Sequence, residues 1–461
     1  MRMYDNYSQY RDLWNKSIPS HWEVLPMYAV AQEKSICNCT ELPLLSVYLD
    51  VGVIPFSAKA EKRTNVTSTD LSKYQRVDIG DFVLNNQQAW RGSVGVSFDT
   101  GIVSPAYIVL SMNDRLNSRY ANYLFRSRIM VDQYLINSKS VGSIQRNIYW
   151  SALKRTRVII PPIEEQNQIV KFLDWKVSAI NKLISVKKNR VTAYKELRKA
   201  VIDQGILHGF KSTDTKDSGI YWLGEIPESW EVLPLKRICR ANASIADIVK
   251  TKENSELVTF LPMENVTETG EIDCSIKKKV ADVRTGFSSF AKGDVVVAKI
   301  TPCFENGKGA CLDDLDTDIG FGTTEFINLR PFEIVLSKYL YMITMTRPFR
   351  KLGEEVMTGS AGQKRVSVNY IKNFTLGIPS VEEQKSILAE IERRLVQIDK
   401  AIEIERGNIK NLQELKARII SDAVTGKIDV RSVDIPEYEY IEDQSDEEAD
   451  EEDIETEEQE D

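Results

Sequence analysis

Ile160-Pro161-Pro162-Ile163-Glu164-Glu165-Gln166 returns 218 residues later as Ile378-Pro379-Ser380-Val381-Glu382-Glu383-Gln384. A chain that repeats such a stretch has to be read as two copies of one unit before any element is assigned. Working outward, three more motifs recur in the same order. Trp14-Asn-Lys-Ser-Ile18-Pro19-Ser-His21-Trp22-Glu23-Val24-Leu25-Pro26 matches Trp222-Leu-Gly-Glu-Ile226-Pro227-Glu-Ser229-Trp230-Glu231-Val232-Leu233-Pro234 at an offset of 208. Gly80-Asp81-Phe82-Val83 matches Gly293-Asp294-Val295-Val296, and Gly142-Ser143-Ile144-Gln145 matches Gly359-Ser360-Ala361-Gly362-Gln363. The drift of ten residues in the offset places insertions in the loops of a shared framework.

Each half opens with about 145 residues of short β-type runs (81–85, 94–98 and 107–110; then 294–300 and 324–329) separated by Gly, Asn and Pro. A helix of about 45 residues follows. The predicted class is α+β: two similar α/β domains, each followed by a long helix. Ser380-Val381-Glu382-Glu383 fits a capping box after Pro379, and Glu164 and Glu165 after Pro161-Pro162 suit the positive end of a helix dipole. Gly209 and Gly426 stand where the helices should stop.

Spacings of three and four pick out a seam in each helix. The first gives Leu173, Val177, Ile180, Ile184, Lys187, Val191, Tyr194, Arg198 and Val201; the second gives Ile391, Leu395, Ile398, Ile402, Glu405, Ile409, Leu412, Lys416 and Ile419. This is a coiled-coil pattern with polar interruptions at matching places. Lys187 and Glu405 either pair across the seam and help fix its register or lie at the surface on snorkelling stems. Antiparallel pairing is expected, over about 65–70 Å at about 1.5 Å per residue.

Whole-chain charge misleads. The 60 Lys and Arg against 68 Asp and Glu give −8, which argues against a nucleic-acid partner. Residues 432–461, however, hold 17 acids and no base; without them 51 acids face 60 bases, a body of about +9. The tail from 431 is expected to be an unstructured, solvating extension. A sharper expectation is that it imitates DNA charge and competes for the basic body. The six cysteines make no disulfide framework or zinc pattern, so free thiols are expected. Residues 1–14 are polar and no run of 18 apolar residues occurs, so neither a signal peptide nor a membrane span is expected, and the protein is placed in the cytoplasm.

Loop chemistry favours binding over catalysis. After Gly80-Asp81 comes an amide-rich loop, Asn85, Asn86, Gln87, Gln88, then Trp90 and Arg91. Asn and Gln can pair with adenine edges and Arg with guanine. The equivalent stretch of the second half carries Lys299, Thr301, Asn306 and Lys308, different chemistry on the same frame. A second pair of candidates is Ser143, Gln145 and Arg146 against Ser360, Gln363, Lys364 and Arg365, a mix of hydroxyl, amide and cation suited to phosphate and base contacts together. No Gly-x-x-x-x-Gly-Lys-Ser/Thr loop and no Asn/Asp-Pro-Pro-aromatic stretch is present. His21 and His208 read as structural or surface residues.

Ile18-Pro-Ser-His-Trp22 and its repeat, Gly-Asp-x-Val, Gly-Ser-x-x-Gln and the twin helix starts together resemble the specificity (S) subunits of type I restriction–modification enzymes, over residues 14 to about 430. The resemblance implies a target-recognition domain at 1–159, a long helix at 160–210, a second target-recognition domain at 211–377, a second helix at 378–430 and the acidic tail at 431–461. It implies that each domain reads one half of a split, asymmetric site in double-stranded DNA through the loops named above. The helices would set the gap between half-sites and dock methyltransferase (M) subunits, two of them. Restriction (R) subunits would join this core. The chain itself would be non-catalytic and hold no cofactor or metal, with S-adenosylmethionine, ATP and Mg in the partner subunits. The tail has no place in that pattern. The alternative is a coiled-coil scaffold that does not read DNA sequence.

Overall fold

The computed structural model describes residues 2–10, 17–49, 51–58, 70–141, 145–211, 214–360 and 362–441. The chain divides into two compact units, Met1–Asn189 with Glu405–Asp461, and Arg190–Ile404. Each unit therefore takes a β-rich domain together with part of both long helices, Ile163–Asp203 and Val381–Val424.

The first unit is built on a four-stranded antiparallel sheet ordered Ala31–Lys34, Tyr107–Met112, Phe82–Asn85, Val94–Val96. The second repeats it as Cys239–Ala241, Phe326–Pro331, Val295–Ala298, Gly309–Cys311. The strand after each Gly-Asp is central in its sheet and buried on both faces, so it reads as a continuous apolar run rather than an alternating one. The second unit adds another four-stranded sheet, in which Leu257–Leu261 and Ile319–Gly322 run parallel.

The duplicated motifs meet in space. Gln166 is fully buried: its Oε1 accepts from Asn117 N at 2.8 Å, and its Nε2 donates to the carbonyls of Arg115 and Pro161 at 2.8 and 2.9 Å. Gln384 does the same with Leu336 N, Ile334 O and Pro379 O at 2.9, 2.8 and 3.0 Å. The glutamate before each reaches the domain start. Glu165 accepts from Tyr4 Oη at 2.5 Å and bonds His21 Nε2 at 2.7 Å. Glu383 accepts from Trp230 Nε1 at 3.0 Å. The capping box is thus half made: Ser380 Oγ accepts from Glu383 N at 3.3 Å, while the Glu383 carboxylate turns to Trp230 instead of back to the cap.

The seam residues are largely buried, among them Leu173, Ile180, Ile184, Val191 and Val201 in the first helix and Ile391, Leu395 and Ile398 in the second. Pairing is antiparallel. Lys187 Nζ lies 2.7 Å from Glu405 Oε2, so the two polar interruptions, counterparts in the repeat, pair with each other. Asn181 with Lys416 in the first unit (3.4 Å) and Asp399 with Arg198 in the second (3.3 Å) are one contact made twice.

Both helices end on the expected glycines. Gly209 and Gly426 have φ of +69° and +73°. A Cβ on Gly426 would stand 2.4 Å from Pro19 Cδ, so this end of the second helix packs on the Ile-Pro-x-x-Trp start of the first domain. Tyr120 Oη donates to Val424 O there, as Tyr339 Oη donates to Ile206 O in the second unit.

The unstructured tail expected from residue 431 is corrected for residues 431–441. They lie along the first helix: Gln168 Nε2 donates to Val430 O and Val433 O, Asn181 Nδ2 donates to Ile441 O at 3.1 Å, and Ile441 N donates to Ser178 Oγ at 3.2 Å. Val433 and Ile435 pack on the core of the first unit. The apolar residues among the acids give this segment something to bury, which the charge count hides. The rest of the acidic run, 442–461, lies outside the described residues.

Candidate nucleic-acid interface

In the first unit the strand Phe82–Asn85 delivers the amide-rich loop. Asn85 Oδ1 accepts from Gln87 N at 3.0 Å, an Asx-type turn that lifts Gln87 and Gln88 into solvent. Trp90 Nε1 donates to Gln87 O at 2.9 Å, and the Arg91 guanidinium lies 5.0 Å from the centre of the Trp90 ring. Gly92, at φ +109°, ends the turn.

The second candidate segment folds into a hairpin, Ser138–Val141 with Gln145–Ile148, and Ile148 N donates to Asn86 O at 2.9 Å. The hairpin is thereby tied to the amide loop. Arg146 Nη1 donates to Ser138 Oγ at 3.4 Å. Ser143 lies outside the described residues, as does the side chain of Gln145. Two amide oxygens at the junction, Asn86 Oδ1 and Asn147 Oδ1, are buried with no hydrogen-bond partner among the described residues.

The second unit makes the same tie: Val366 N donates to Lys299 O at 2.8 Å, and Thr301 N donates to Lys364 O at 3.0 Å. Thr358 and Arg365 exchange backbone bonds to close the hairpin. Asn306, Ser360, Gln363 and Lys364 are exposed. Lys299, Thr301, Lys308 and Arg365 are half-buried and engaged within the unit. Lys299 Nζ donates to Thr324 O at 2.7 Å, Thr301 Oγ1 to Glu305 Oε1 at 2.8 Å, and Lys308 Nζ to Met263 O at 3.4 Å. Arg365 holds Glu325 with two bonds of 3.0 and 2.9 Å. Those bonds hold the Glu325 carboxyl below the usual carboxylate range. The structure thus brings together the two candidate segments of each half, some 60 residues apart in sequence.

Both surfaces offer exposed amides and cations on a rigid sheet, with backbone positions fixed and side chains free to differ. That arrangement can bond base edges and phosphates. The type I restriction modification DNA specificity domain is matched twice in this chain, over residues 20–196 and 227–414. The chain belongs to the type I DNA specificity family.

Among curated relatives, the type I restriction enzyme EcoAI specificity subunit of Escherichia coli is 40% identical over 167 residues, 36% of this chain and 28% of that protein. The EcoEI specificity subunit of the same species is 34% identical over 191 residues and 31% of its length. The matches thus span under a third of these two relatives. The MjaVIII specificity subunit of Methanocaldococcus jannaschii is 25% identical over 442 residues, 92% of this chain and 97% of that one. A chain from a solved structure of complex assembly and conformational transition in the type I R-M system superposes with a TM-score of 0.60. At 16% identity it covers 89% of this chain and 99% of its own, and it supports the fold alone.

Within the type I specificity fold, some residues that shape this surface from below or beside it carry no sequence signal of their own. Glu325 gives nothing away until Arg365 is seen against it. Arg350 is in the helix Arg347–Glu355, far from the loop motifs in sequence, yet bonds the loop 301–308. The duplicated Gly-Asp could have pointed further: Asp294 bonds Arg330 with 2.8 Å contacts, while Asp81 pairs with Lys34 at 2.5 Å, so a cation at either place was a findable signal.

Proposed function

We propose that this chain is the sequence-reading subunit of a type I restriction–modification complex. Each unit reads one half of a bipartite, asymmetric site in double-stranded DNA, and the long helices set the half-site spacing and dock two methyltransferase subunits, to which restriction subunits are added. The chain contributes recognition, not catalysis; S-adenosylmethionine, ATP and Mg act in the partners. The observation that carries this reading is the pair of matched surfaces. The Ile148–Asn86 and Val366–Lys299 bonds fix the same backbone frame in both units, while the side chains on it differ, amides with Trp90 and Arg91 in one, Lys, Thr and Asn in the other. Common frame with divergent contacts is what two readers of unlike half-sites require.

Selection from random duplexes, by the chain with its methyltransferase partner, tests the proposal. A split consensus is the expected result; binding without sequence preference at every salt concentration, or DNA methylation by the chain alone, would overturn it. Arg91→Ala should relax preference at one half-site only, by about ten-fold, the discrimination of one good base contact. A uniform loss across all sequences would make Arg91 a phosphate contact instead.

The acidic run belongs to the same proposal. Truncation after Ile441 leaves the packed segment 431–441 in place and removes 14 acids and no base. Non-specific DNA affinity at low salt should rise, because the cations no longer face an internal competitor. Unchanged affinity would leave the run a solvating extension only.

A further inference from the structure

Arg350 is fully enclosed in the second unit, and no described carboxylate lies within ion-pair reach of it. Burial pushes its guanidinium down to about 10, still charged at neutral pH. The Glu305 carboxylate attracts it without direct contact. A buried charge with no carboxylate in direct contact is costly for a core to hold, and an apolar side chain of similar size would normally be the more stable occupant. What Arg350 has in exchange is specific. Nη1 donates to Phe304 O at 2.8 Å and Nη2 to Gly307 O at 3.3 Å, with the guanidinium 4.9 Å from the Phe304 ring centre and 5.6 Å from that of Phe349. Both carbonyls lie in the loop 301–308, which carries Thr301, Asn306 and Lys308.

The repeat supplies the comparison. Ser127 Oγ and Thr346 Oγ1 make the same bond, to Leu124 O and Ile343 O, at the start of matching helices. Counting on from them, the position of Arg350 is held in the first unit by Val131. Val131 Cγ2 lies 3.6 Å from where a Cβ on Gly92 would be, against the amide-rich loop. One helical position thus supports the candidate loop in both units, by apolar contact in the first and by two charge-assisted bonds in the second. Backbone bonds close the second loop on itself, Phe304 N to Ile300 O, Asn306 N to Pro302 O and Lys308 N to Cys303 O, and Arg350 is the side chain that ties its Phe304 and Gly307 carbonyls to the helix below. Among the described residues, Arg350 Nε, Glu305 Oε2 and Tyr341 Oη are buried with no hydrogen-bond partner. The Arg350 bonds, with a weaker one from Nη2 to Met345 Sδ, fasten the turn to its helix, while Phe304, whose ring would collide with any Cβ on Gly353, plugs it into the core.

We propose that Arg350 is a positioning residue for half-site recognition by the second unit: it does not face DNA, but by fixing the carbonyls of Phe304 and Gly307 it sets the shape of the loop that does. This rests on the DNA-reading proposal above. Guanidinium geometry is part of the claim, since an ammonium is a point donor that cannot span both carbonyls as a planar fork does.

The test uses the full chain with its methyltransferase partner and reads base preference at each half-site separately, with the thermal transition checked alongside. Arg350→Met fills the space without donors. It should lower discrimination at one half-site by about ten-fold or more and leave the other half-site and non-specific binding unchanged. Arg350→Lys should fall between it and the parent. Unchanged preference at both half-sites in Arg350→Met would overturn the proposal, and so would an equal loss at both, which marks a purely structural residue. If Arg350→Met does not fold, Arg350→Lys decides: full parental discrimination overturns the proposal, and loss at one half-site supports it. A parent complex without any sequence preference overturns the DNA reading itself, and this proposal with it.

Discussion

Gln384→Leu should destabilise the second unit by about 3 kcal/mol or more, although leucine is close in size and more apolar. The reason is what it strands. Gln384 is fully buried, and three backbone groups depend on it: Leu336 N, Ile334 O and Pro379 O. Each buried polar group left unsatisfied costs about 1–3 kcal/mol, and no described side chain stands ready to replace the amide. Glutamate would not rescue the position. It could still accept from Leu336 N, but it offers nothing to the two carbonyls and brings a charge into the interior. Urea unfolding of the full chain measures the loss, and hydrogen exchange locates it: the amides of residues 334–340 and 381–388 should lose protection while those of the first unit keep theirs. Gln166→Leu should produce the mirror pattern around Asn117 and Arg115. A loss below about 1 kcal/mol for both would mean that the joint between helix and domain is held by the packing around it and not by these bonds.

That joint also marks where sequence reading stops. Motif duplication, helix starts and stops, and the seam were legible because each is local. Pro379 and Ser380 cap the turn that follows them, Gly209 and Gly426 end the helices they close, and Leu173 through Val201 recur at the helix's own period. Glu165 and Glu383 show the limit. Two acids in a first turn are fully explained by the helix dipole, so nothing in the sequence directs attention to Tyr4, His21 or Trp230, more than 140 residues away. The interface follows the same division. Its side-chain chemistry was visible as runs of amides and cations. That Lys299, Thr301 and Arg365 are engaged with Thr324, Glu305 and Glu325, leaving Asn306, Gln363 and Lys364 as the outward groups, depends on chain segments brought together only by the fold. The packing of residues 431–441 is hidden from sequence for a related reason. Val433, Ile435 and Ile441 are few among many acids, and the side chains that bond the Val433 and Ile441 carbonyls, Gln168 and Asn181, lie more than 250 residues earlier.

Of the two expectations for Lys187 and Glu405, the paired one holds, and it predicts an asymmetry between single and double substitution. The pair is close, at 2.7 Å, and poorly exposed, with 23% of the lysine side chain and 9% of the glutamate accessible. Lys187→Met should cost about 3 kcal/mol, because it takes the ammonium at 2.7 Å away from a carboxylate that stays largely buried in the seam. Lys187→Met with Glu405→Leu should return to the parent's stability or exceed it by about 1 kcal/mol, since well-packed apolar residues need no desolvated charge to be repaid. Unfolding in urea across the four-member cycle gives the coupling energy directly. Additive losses would show that the two charges act independently. The repeat allows a stricter check. Lys187 and Glu405 are counterparts at an offset of 218, so exchanging them, Lys187→Glu with Glu405→Lys, moves each charge into the place its own repeat equivalent occupied. Near-parental stability of the exchanged chain, with each single reversal strongly destabilised by two like charges at close range, is the expected result. Failure of the exchange to recover would mean that the surroundings of each residue, and not the pair, fix the register. The apolar double variant then answers what the pair is for. If it is as stable as the parent but its helices populate other registers, seen as cysteine cross-links between positions flanking 187 and 405 that the parent's register does not bring together, the ion pair contributes specificity of register in place of net stability.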